Sequence, residues 1–416
     1  MMAAMIGRPM TALRSGCCAV ARTNRLLFAT ILLLGLYFPT SWNENISKPL
    51  YFVSFLVSAV VLAILALRAG CQGRVVFWVS IPVVLWLTVC TFFSMVLNHF
   101  EIQPVQLALF ALLGFMLCIN AGRLRCANLS SLLAFVSIVN ISVGVAMVTV
   151  EQASNFMLVH YNNFYDDLLS HMMATYKPVT TFATHSVAGF FAYIFFFLNL
   201  RTYQKSGKRL HLCLAILYVG MCIAMMSTTS LGFSVLAIAE LAYIGRWKVL
   251  LFAPILYLLL GEFKEDMSLA MTAVWLGEGN GFGARYGAGG ILQESVGYIV
   301  RHPLLPVGVT FSKGFSFIDS GPIEYMLCGS VPLLLLIYGG LFLFLRRNLC
   351  DKWDVYRLFA VILAAELGFT LLTYMRSFLL IPAFVIYLNS LSGRVGDPTT
   401  RAGAALLGKT TAEAAL

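Results

Sequence analysis

Residues 323–345 read IEYMLCGSVPLLLLIYGGLFLFL, an apolar run that contains one charged side chain, Glu324, and is followed at once by Arg346 and Arg347. An α-helix rises about 1.5 Å per residue, so about 20 apolar residues are needed to cross the hydrocarbon core of a bilayer. This run is long enough, and arginines at its end are typical of the cytoplasmic border of such a helix. The stretch therefore predicts a membrane-spanning helix and an all-α membrane protein.

The rest of the chain repeats this pattern. Of its 416 residues, 60% are hydrophobic and only 11% are charged, whereas about a quarter of the residues of soluble proteins are charged. We therefore predict a polytopic helix bundle with about twelve transmembrane helices. The apolar runs cover about 26–42, 50–67, 75–97, 104–121, 129–150, 179–200, 210–227, 230–245, 248–261, 323–345, 356–374 and 377–392.

Basic residues set the predicted orientation, because Lys and Arg are retained on the cytoplasmic side during insertion. With the N-terminus inside, every second loop is basic, and the net charge of +10 is a topology signal that requires no nucleic-acid partner. Of the 28 Lys and Arg residues, the predicted outer segments contain only Lys48, Lys177, Lys264, Arg285, Arg301, Lys313 and Arg376. We predict a basic cytoplasmic N-terminus at 1–25, a transmembrane domain at 26–392 and a disordered cytoplasmic tail at 393–416.

Two predicted outer loops, about 151–178 and about 262–322, are much longer than the others, and loops beyond about 15 residues tend to be functional. The first contains an amphipathic repeat that predicts a helix lying on the membrane. The second, between helices 9 and 10, has an apolar stripe of Ile291, Leu292, Val296, Ile299 and Val300 opposite a polar stripe of Gln293, Glu294, Gly297 and Arg301. This predicts a short interfacial helix that stops near His302, because Pro303 disfavours helical geometry in the residue before it.

The second loop also contains residues 277–290, GEGNGFGARYGAGG, in which half of the positions are glycine. A nucleotide-binding glycine loop needs a preceding strand, a following helix and a set spacing, and this stretch has none of them. Two interpretations stay open: a flexible linker, or a lid that closes Arg285 over an anionic substrate. In the second case, backbone N–H groups of the glycines would add to anion binding.

The predicted outer face carries guanidinium, carboxylate and imidazole groups but no metal-binding pattern. The six histidines show no HExxH or paired spacing, and the chain has no GxSxG motif. Guanidinium groups suit bidentate binding of phosphate, and a nearby carboxylate or imidazole can accept a proton from a hydroxyl. This mixture favours transfer onto an alcohol from a phosphate leaving group, without a metal or another cofactor.

Each candidate also has a purely structural interpretation. His302 can end a helix, Arg376 can anchor an interface between helices, and Asp319 can cap the helix that follows it. Glu240 and Glu366 lie inside predicted spans, where an ionised side chain is costly and therefore suggests a function. Glu240, however, is close enough to the cytoplasmic end of its helix to reach the interface.

Three stretches, MSTTSLGFSVLAIAE at 226–240, RHPLLPVG at 301–308 and DSGPIEYMLCGSVPLLLLIYGG at 319–340, resemble the C-terminal half of the O-antigen ligase and polysaccharide polymerase superfamily. In that family an HPLxGxG-like motif in a large periplasmic loop precedes a helix that begins near a His or Asp. The resemblance implies an enzyme of the bacterial inner membrane, with both termini cytoplasmic, that transfers glycan from undecaprenyl pyrophosphate to a hydroxyl at the periplasmic face. It also implies a flippase and a chain-length regulator of the same pathway as partners.

The resemblance also assigns individual residues. Arg285 matches the arginine upstream of the HPL motif and would bind pyrophosphate, and Asp319 stands where ligases have the histidine that ends the loop. Pro306 departs from the first glycine of HPLxGxG, and MSTTS lacks an arginine often found at that turn, so Arg376 would have to supply the second phosphate contact. The predicted catalytic residues are therefore Asp319 and His302. The predicted substrate-binding residues are Arg285 and Arg376, together with Arg301, Glu294 and Glu324, which are charged residues of the predicted outer face.

Aspartate at position 319 favours a polymerase, which joins lipid-linked repeat units, over a ligase, which transfers glycan to lipid A core. Two further classes stay open. A twelve-helix secondary transporter would have repeated halves, but no repeat is evident and the longest outer loop would be unexplained. A non-catalytic assembly subunit would tolerate changes at Arg285 and Asp319.

The predicted orientation is tested by fusing alkaline phosphatase, which is active only in the periplasm, at two positions. We expect no activity from a fusion after Gly207 and high activity from a fusion within residues 287–290, because basic residues surround only the first position. The reverse pattern would contradict the orientation and every role assigned to the outer face.

Overall fold

The computed structural model describes residues 24–37, 48–70, 80–88, 104–124, 126, 129–161, 177–182, 184–244, 285–286, 289–290, 292–305, 307 and 320–392. Within these residues all regular secondary structure is helical, which confirms the all-α class for this part of the chain. Several sequence predictions lie outside the described residues. They concern residues 1–23, the part of the first outer loop at 162–176, the predicted span at 248–261, most of the glycine stretch, Asp319 and the tail at 393–416.

The α-helices are numbered here in chain order. They are α1 Asn24–Tyr37, α2 Lys48–Arg68, α3 80–88, α4 Pro104–Leu117, α5 Leu129–Thr149, α6 Glu151–Tyr161, α7 His185–Ser206, α8 Arg209–Ala224, α9 Thr228–Tyr243, α10 Gln293–Arg301, α11 Gly321–Asn348, α12 Lys352–Gly368 and α13 Met375–Ser392. Short 3₁₀ turns lie at Ala121–Arg123 and Leu371–Thr373.

Local sequence explains several helix ends. Before α7, the Thr184 hydroxyl accepts a hydrogen bond from the Val187 N–H at 3.1 Å, and Gly207 ends the helix with a φ of 69°, which glycine adopts without strain. Ser227 and Ser230 form a reciprocal capping box at the start of α9. Pro322 lies in the first turn of α11, where its missing N–H is not needed.

Two of the described helices, α5 and α11, are long and apolar enough to cross a membrane. The opening stretch of sequence is the greater part of α11, which is helical on either side of a break at Gly329 and Ser330, so its helical prediction is confirmed except at these two residues. Other described helices are apolar but shorter, among them α1, α8 and α9. The count of about twelve spans stays a prediction.

One predicted span ends earlier than expected. The run at 356–374 is helical only to Gly368, the last residue of α12, and the chain then turns through residues 369–374 before α13. The Leu372 N–H donates to Glu366 Oε1 at 2.6 Å instead of to a helical carbonyl. Apolar composition alone did not reveal this turn, because its residues are as hydrophobic as those of the helix.

Three asparagines join helix ends at one end of the bundle, named here the Asn348 end. The Gly122 N–H donates to Asn348 Oδ1 at 2.7 Å, and Asn120 Nδ2 donates to the Gly70 carbonyl at 2.8 Å. Asn389 Nδ2 contacts the carbonyls of Gly122 and Asn348. A Cβ at Gly122 would lie 2.3 Å from Asn389 Nδ2, so only glycine fits there. This end therefore brings together the C-terminal ends of α2, α11 and α13.

Two ion pairs strengthen the same end of the bundle. Arg201 of α7 pairs with Asp354 of α12, and Arg357 of α12 pairs with Glu240 of α9. The Tyr193 hydroxyl donates to Glu240 Oε1 at 2.5 Å. Glu240 is thus a partner in an interhelical network, not an isolated side chain that reaches for the interface.

The opposite end, named here the Arg376 end, gathers other helix termini. Arg376 at the start of α13 donates from Nη1 to the Leu36 carbonyl of α1 at 2.7 Å, and the Tyr161 hydroxyl of α6 donates to the Tyr37 carbonyl at 3.0 Å. The C-terminal end of α12 meets the start of α9, because a Cβ at Gly368 would lie 2.5 Å from Thr229 Oγ1. These helix ends therefore lie together, as expected for helices that run alternately up and down.

Candidate functional site

The short helix predicted after the glycine stretch exists as α10, and it packs on the first turns of α11. Leu292 forms a small core with Ile323 and Leu327, flanked by Val296 and Ile299. The helix ends at Arg301, as predicted from Pro303. Val300 differs from the prediction: it is 74% exposed and does not share in this packing.

A kink in α11 receives the chain that follows α10. Gly329 and Ser330 leave helical geometry, and Ser330 has a φ of 53°. The Val307 N–H donates to the Leu327 carbonyl at 2.8 Å, and Ser330 Oγ donates to the Leu304 carbonyl at 3.3 Å. The interrupted helix thus has polar groups available for a second segment, and these hold Leu304 and Val307 against α11.

Arg285 and Tyr286, which precede α10 in the chain, bind the C-terminal end of α12. Arg285 Nη1 donates to the Gly368 carbonyl at 2.8 Å. The Tyr286 hydroxyl lies 2.7 Å from the Leu367 carbonyl oxygen and 2.7 Å from Ser320 Oγ. The last carbonyls of a helix have no partner within that helix, so these contacts satisfy groups that need one.

Glu366 lies directly beneath these contacts and is fully buried. Its Oε1 accepts the Leu372 N–H at 2.6 Å, and its Oε2 accepts the Tyr338 hydroxyl at 3.0 Å. A Cβ at Gly321 would lie 1.7 Å from Oε2, so the carboxylate occupies the space that any other residue would need. The N-terminal end of α11 is the positive end of its dipole, which favours a carboxylate at this place.

Glu324 brings a second carboxylate to the first turn of α11. It is 3% exposed and lies within electrostatic range of Tyr325 and Tyr338. Tyr325 is fully buried beside Glu366, and its phenol interacts with the carboxylate of that residue. Two carboxylates and two phenols therefore surround the start of α11, next to the backbone that anchors Arg285 and Tyr286.

Arg376 is placed differently from the other predicted arginines. It is 1% exposed, and its guanidinium carbon lies 5.4 Å from the centre of the Tyr161 ring and 5.7 Å from that of Phe182. With its bond to the Leu36 carbonyl, these contacts describe a cation buried among aromatic rings at a meeting point of helices. The described contacts match the interpretation of Arg376 as an interhelical anchor.

The remaining predicted residues lie on the surface of α10 or outside the described chain. Arg301, His302 and Glu294 are exposed, and the His302 ring centre is 5.1 Å from that of Tyr298. Asp319 lies outside the described residues, although the next residue, Ser320, is buried against Tyr286. The structure therefore brings Arg285 and Glu324 to the α11–α12 junction and leaves Arg301, His302 and Glu294 on the outer side of α10.

The sequence analysis missed the parts played by Tyr286 and Tyr338. Tyr286 follows Arg285 directly. A large polar aromatic residue among glycines could have indicated a point at which the stretch is anchored. Tyr338 lies within an apolar run and gave no such signal. Glu366 was noted as a costly charge in a span, but its partners are distant in sequence and could not be named.

The outer side of α10 also contains a groove of about 710 Å³, lined by Gly290, Gln293, Glu294, Gly297, Val300 and Arg301. Across the described residues, no three His, Cys, Asp or Glu side chains are grouped so that they could hold a metal ion. The groove and the α11–α12 junction lie on either side of α10.

Compared with models of known protein families, with curated proteins and with solved structures, this chain matches none of them. The resemblance to O-antigen ligases and polysaccharide polymerases stays a prediction.

The hydrogen bond from Tyr286 to α12 is tested by Tyr286→Phe, which removes the hydroxyl and keeps the ring. A hydrogen bond contributes about 0.5–1.5 kcal/mol, so amide hydrogen exchange in α10 should become roughly two- to tenfold faster. Tyr243→Phe is the control, because Tyr243 is 94% exposed. Equal amide exchange in α10 of both variants would show that the Tyr286 hydroxyl does not stabilise this helix.

Proposed function

We propose that this chain is a glycan polymerase of the bacterial inner membrane. It transfers an undecaprenyl-pyrophosphate-linked saccharide onto a hydroxyl of another lipid-linked repeat unit at the periplasmic face, in exopolysaccharide or O-antigen synthesis. The observation that carries this proposal is the anchoring of Arg285 at the α11–α12 junction, next to the carboxylates of Glu324 and Glu366. A cation for a phosphate leaving group and acidic groups for a hydroxyl lie within one small region.

The membrane setting has three supports. The composition is far more apolar than that of soluble proteins, and two described helices are long enough to span. Helix termini also separate into two ends, and many exposed basic side chains lie at the Asn348 end, including Lys205, Lys208, Arg346, Arg347 and Lys352. This asymmetry supports a cytoplasmic Asn348 end and a periplasmic Arg376 end.

Arg285 is the proposed pyrophosphate ligand. A guanidinium has five N–H donors in a planar fork, and the bond from Nη1 to the Gly368 carbonyl fixes its position. Arg285 is half-buried, so its charge acts in a medium of lower dielectric than water. These features suit charge stabilisation on a departing pyrophosphate.

Asp319 is the proposed base. The acceptor hydroxyl gives its proton to the Asp319 carboxylate as its oxygen bonds to the anomeric carbon, and the anomeric C–O bond breaks with both electrons leaving on the pyrophosphate. The support is adjacency: Ser320 is the next residue, and its Oγ is 2.7 Å from the hydroxyl of Tyr286. His302, at the end of α10, is the second proposed catalytic group, by resemblance.

The role of Arg285 is tested by Arg285→Lys in a strain that lacks the chromosomal gene. Lysine keeps the charge but loses the bidentate fork, so we expect at least a roughly tenfold loss of long polymer at normal protein level. Arg209→Lys, an exposed arginine at the start of α8, is the matched control and should restore full polymer. Wild-type polymer from Arg285→Lys would make the glycine stretch a linker.

The gene-deletion strain itself separates the candidate functions. A polymerase defect leaves single lipid-linked repeat units, whereas a ligase defect leaves long lipid-linked chains that are not joined to lipid A core. Normal polymer in the deletion strain would overturn both assignments.

The role of Asp319 is tested by Asp319→Asn, because Asn caps a helix about as well as Asp but is a poor base. Loss of a general base typically lowers the rate by ~10²- to 10⁴-fold, so this variant should accumulate single lipid-linked repeat units. Asp351→Asn is the control, since Asp351 caps α12 by accepting the Trp353 N–H at 2.9 Å. Normal chains from Asp319→Asn would reduce Asp319 to a cap.

A further inference from the structure

We infer that the groove on the outer side of α10 is a saccharide-binding site that holds the growing glycan. The choice of glycan as ligand rests on the proposed function, whereas the groove itself is a feature of the structure. It is distinct from the α11–α12 junction, because α10 separates the two.

The two faces of α10 have different tasks. Leu292, Val296 and Ile299 face α11, and buried Ser295 lies on the same side. The groove lies on the opposite side, and its volume of about 710 Å³ is within the usual range of about 300–1,000 Å³ for small-molecule sites. One face of α10 therefore packs on α11, and the opposite face is free to line the groove.

Polar groups in the groove are oriented before any ligand arrives. Gln293 Oε1 accepts the Gly289 N–H at 2.6 Å, and this hydrogen bond fixes the orientation of the exposed amide group. Arg301 Nε donates to the Gly297 carbonyl at 3.0 Å, which lays the guanidinium back along the helix. With the Glu294 carboxylate between them, donors and acceptors alternate along the groove, as suits hydroxyls that both donate and accept.

Charge and polarity favour a saccharide over other ligands. Glu294 balances the charge of Arg301 among the lining residues, so the groove has no excess of positive charge to hold a phosphate. Its lining combines the polar side chains of Gln293, Glu294 and Arg301 with apolar surface, a mixture that suits a sugar ring with polar edges and an apolar face. Val300 adds an apolar patch against which the C–H face of a sugar ring can lie.

Gly297 is the strongest indication that the groove has a use. A glycine inside a helix costs about 0.5–1 kcal/mol relative to alanine. Gly321 has a packing reason, since a Cβ there would meet Glu366. At Gly297 the nearest atom to a Cβ would be Arg301 Nη2 at 3.8 Å, so packing within the fold does not require glycine. The missing side chain keeps the groove open.

Gly297→Leu is the direct test, because the new side chain would start in the groove beside Arg301 Nη2, which lies 3.8 Å from the position of its Cβ. The control is Gly232→Leu at an exposed position of α9, where a Cβ would meet nothing within 4 Å. The full-length proteins are purified in nanodiscs, and the probe is oligosaccharide released by mild acid from the surface polysaccharide of the host strain. Saturation-transfer NMR and calorimetry measure binding.

We expect at least a roughly tenfold weaker affinity for Gly297→Leu and an unchanged affinity for Gly232→Leu, since the new side chain at 297 occupies space in the groove that the ligand would fill. Glu294→Gln keeps the volume and should weaken binding by a smaller factor, because one charge-assisted acceptor is lost. Equal affinity of Gly297→Leu and the wild type would overturn the inference, as would a wild-type protein that does not bind the probe.

Polymer analysis separates this inference from the proposed function. If Gly297→Leu binds weakly and its cells make shorter chains, both stand. If the variant binds weakly while the gene-deletion strain still makes normal polymer, the groove is a saccharide site in a protein of another function. If Gly297→Leu binds normally while Arg285→Lys abolishes polymer, the polymerase proposal stands and the groove is not the site.

Discussion

The buried carboxylate of Glu366 is the interaction on which the proposed site depends. A charged group taken out of water is costly unless hydrogen bonds replace its hydration. Glu366 obtains them from the Leu372 N–H and the Tyr338 hydroxyl, so one side chain links α12, the turn after it and the middle of α11. Its contact with Gly321 brings the first residue of α11 against α12.

This link determines where Arg285, Tyr286 and α10 can pack on α11 and α12. Because Glu366 holds the end of α12 against α11, the carbonyls of Leu367 and Gly368 and the hydroxyl of Ser320 face the same small region. Tyr286 and Arg285 bind there, and α10 then packs on Ile323 and Leu327. Glu366 thus helps to set the position of Arg285, the residue proposed to bind pyrophosphate, through the helix ends that it holds together.

The two ends of the bundle are stabilised by different chemistry. The Asn348 end uses amide side chains and the ion pairs of Arg201 with Asp354 and of Arg357 with Glu240. The Arg376 end uses a guanidinium among aromatic rings and the carboxylate of Glu366. Polar groups of neighbouring helices supply hydrogen-bond partners at both ends. Glu240 and Arg376, which looked like functional candidates in the sequence, are therefore partners in helix packing.

Local sequence was sufficient for the helical class, for the apolar run that became α11 and for α10. The period of its apolar residues predicted that helix, and Pro303 predicted its end, since both effects act within a few residues. The burial of Arg376, the partners of Glu366 and the exposure of Val300 needed the tertiary structure. In a chain this apolar, a helix face that meets lipid has nearly the same composition as one that meets another helix, so hydropathy does not tell which faces pack. The contacts of Glu366 with Gly321 and of Tyr286 with Leu367 join residues far apart in the sequence, and only the packing of whole helices brings them together.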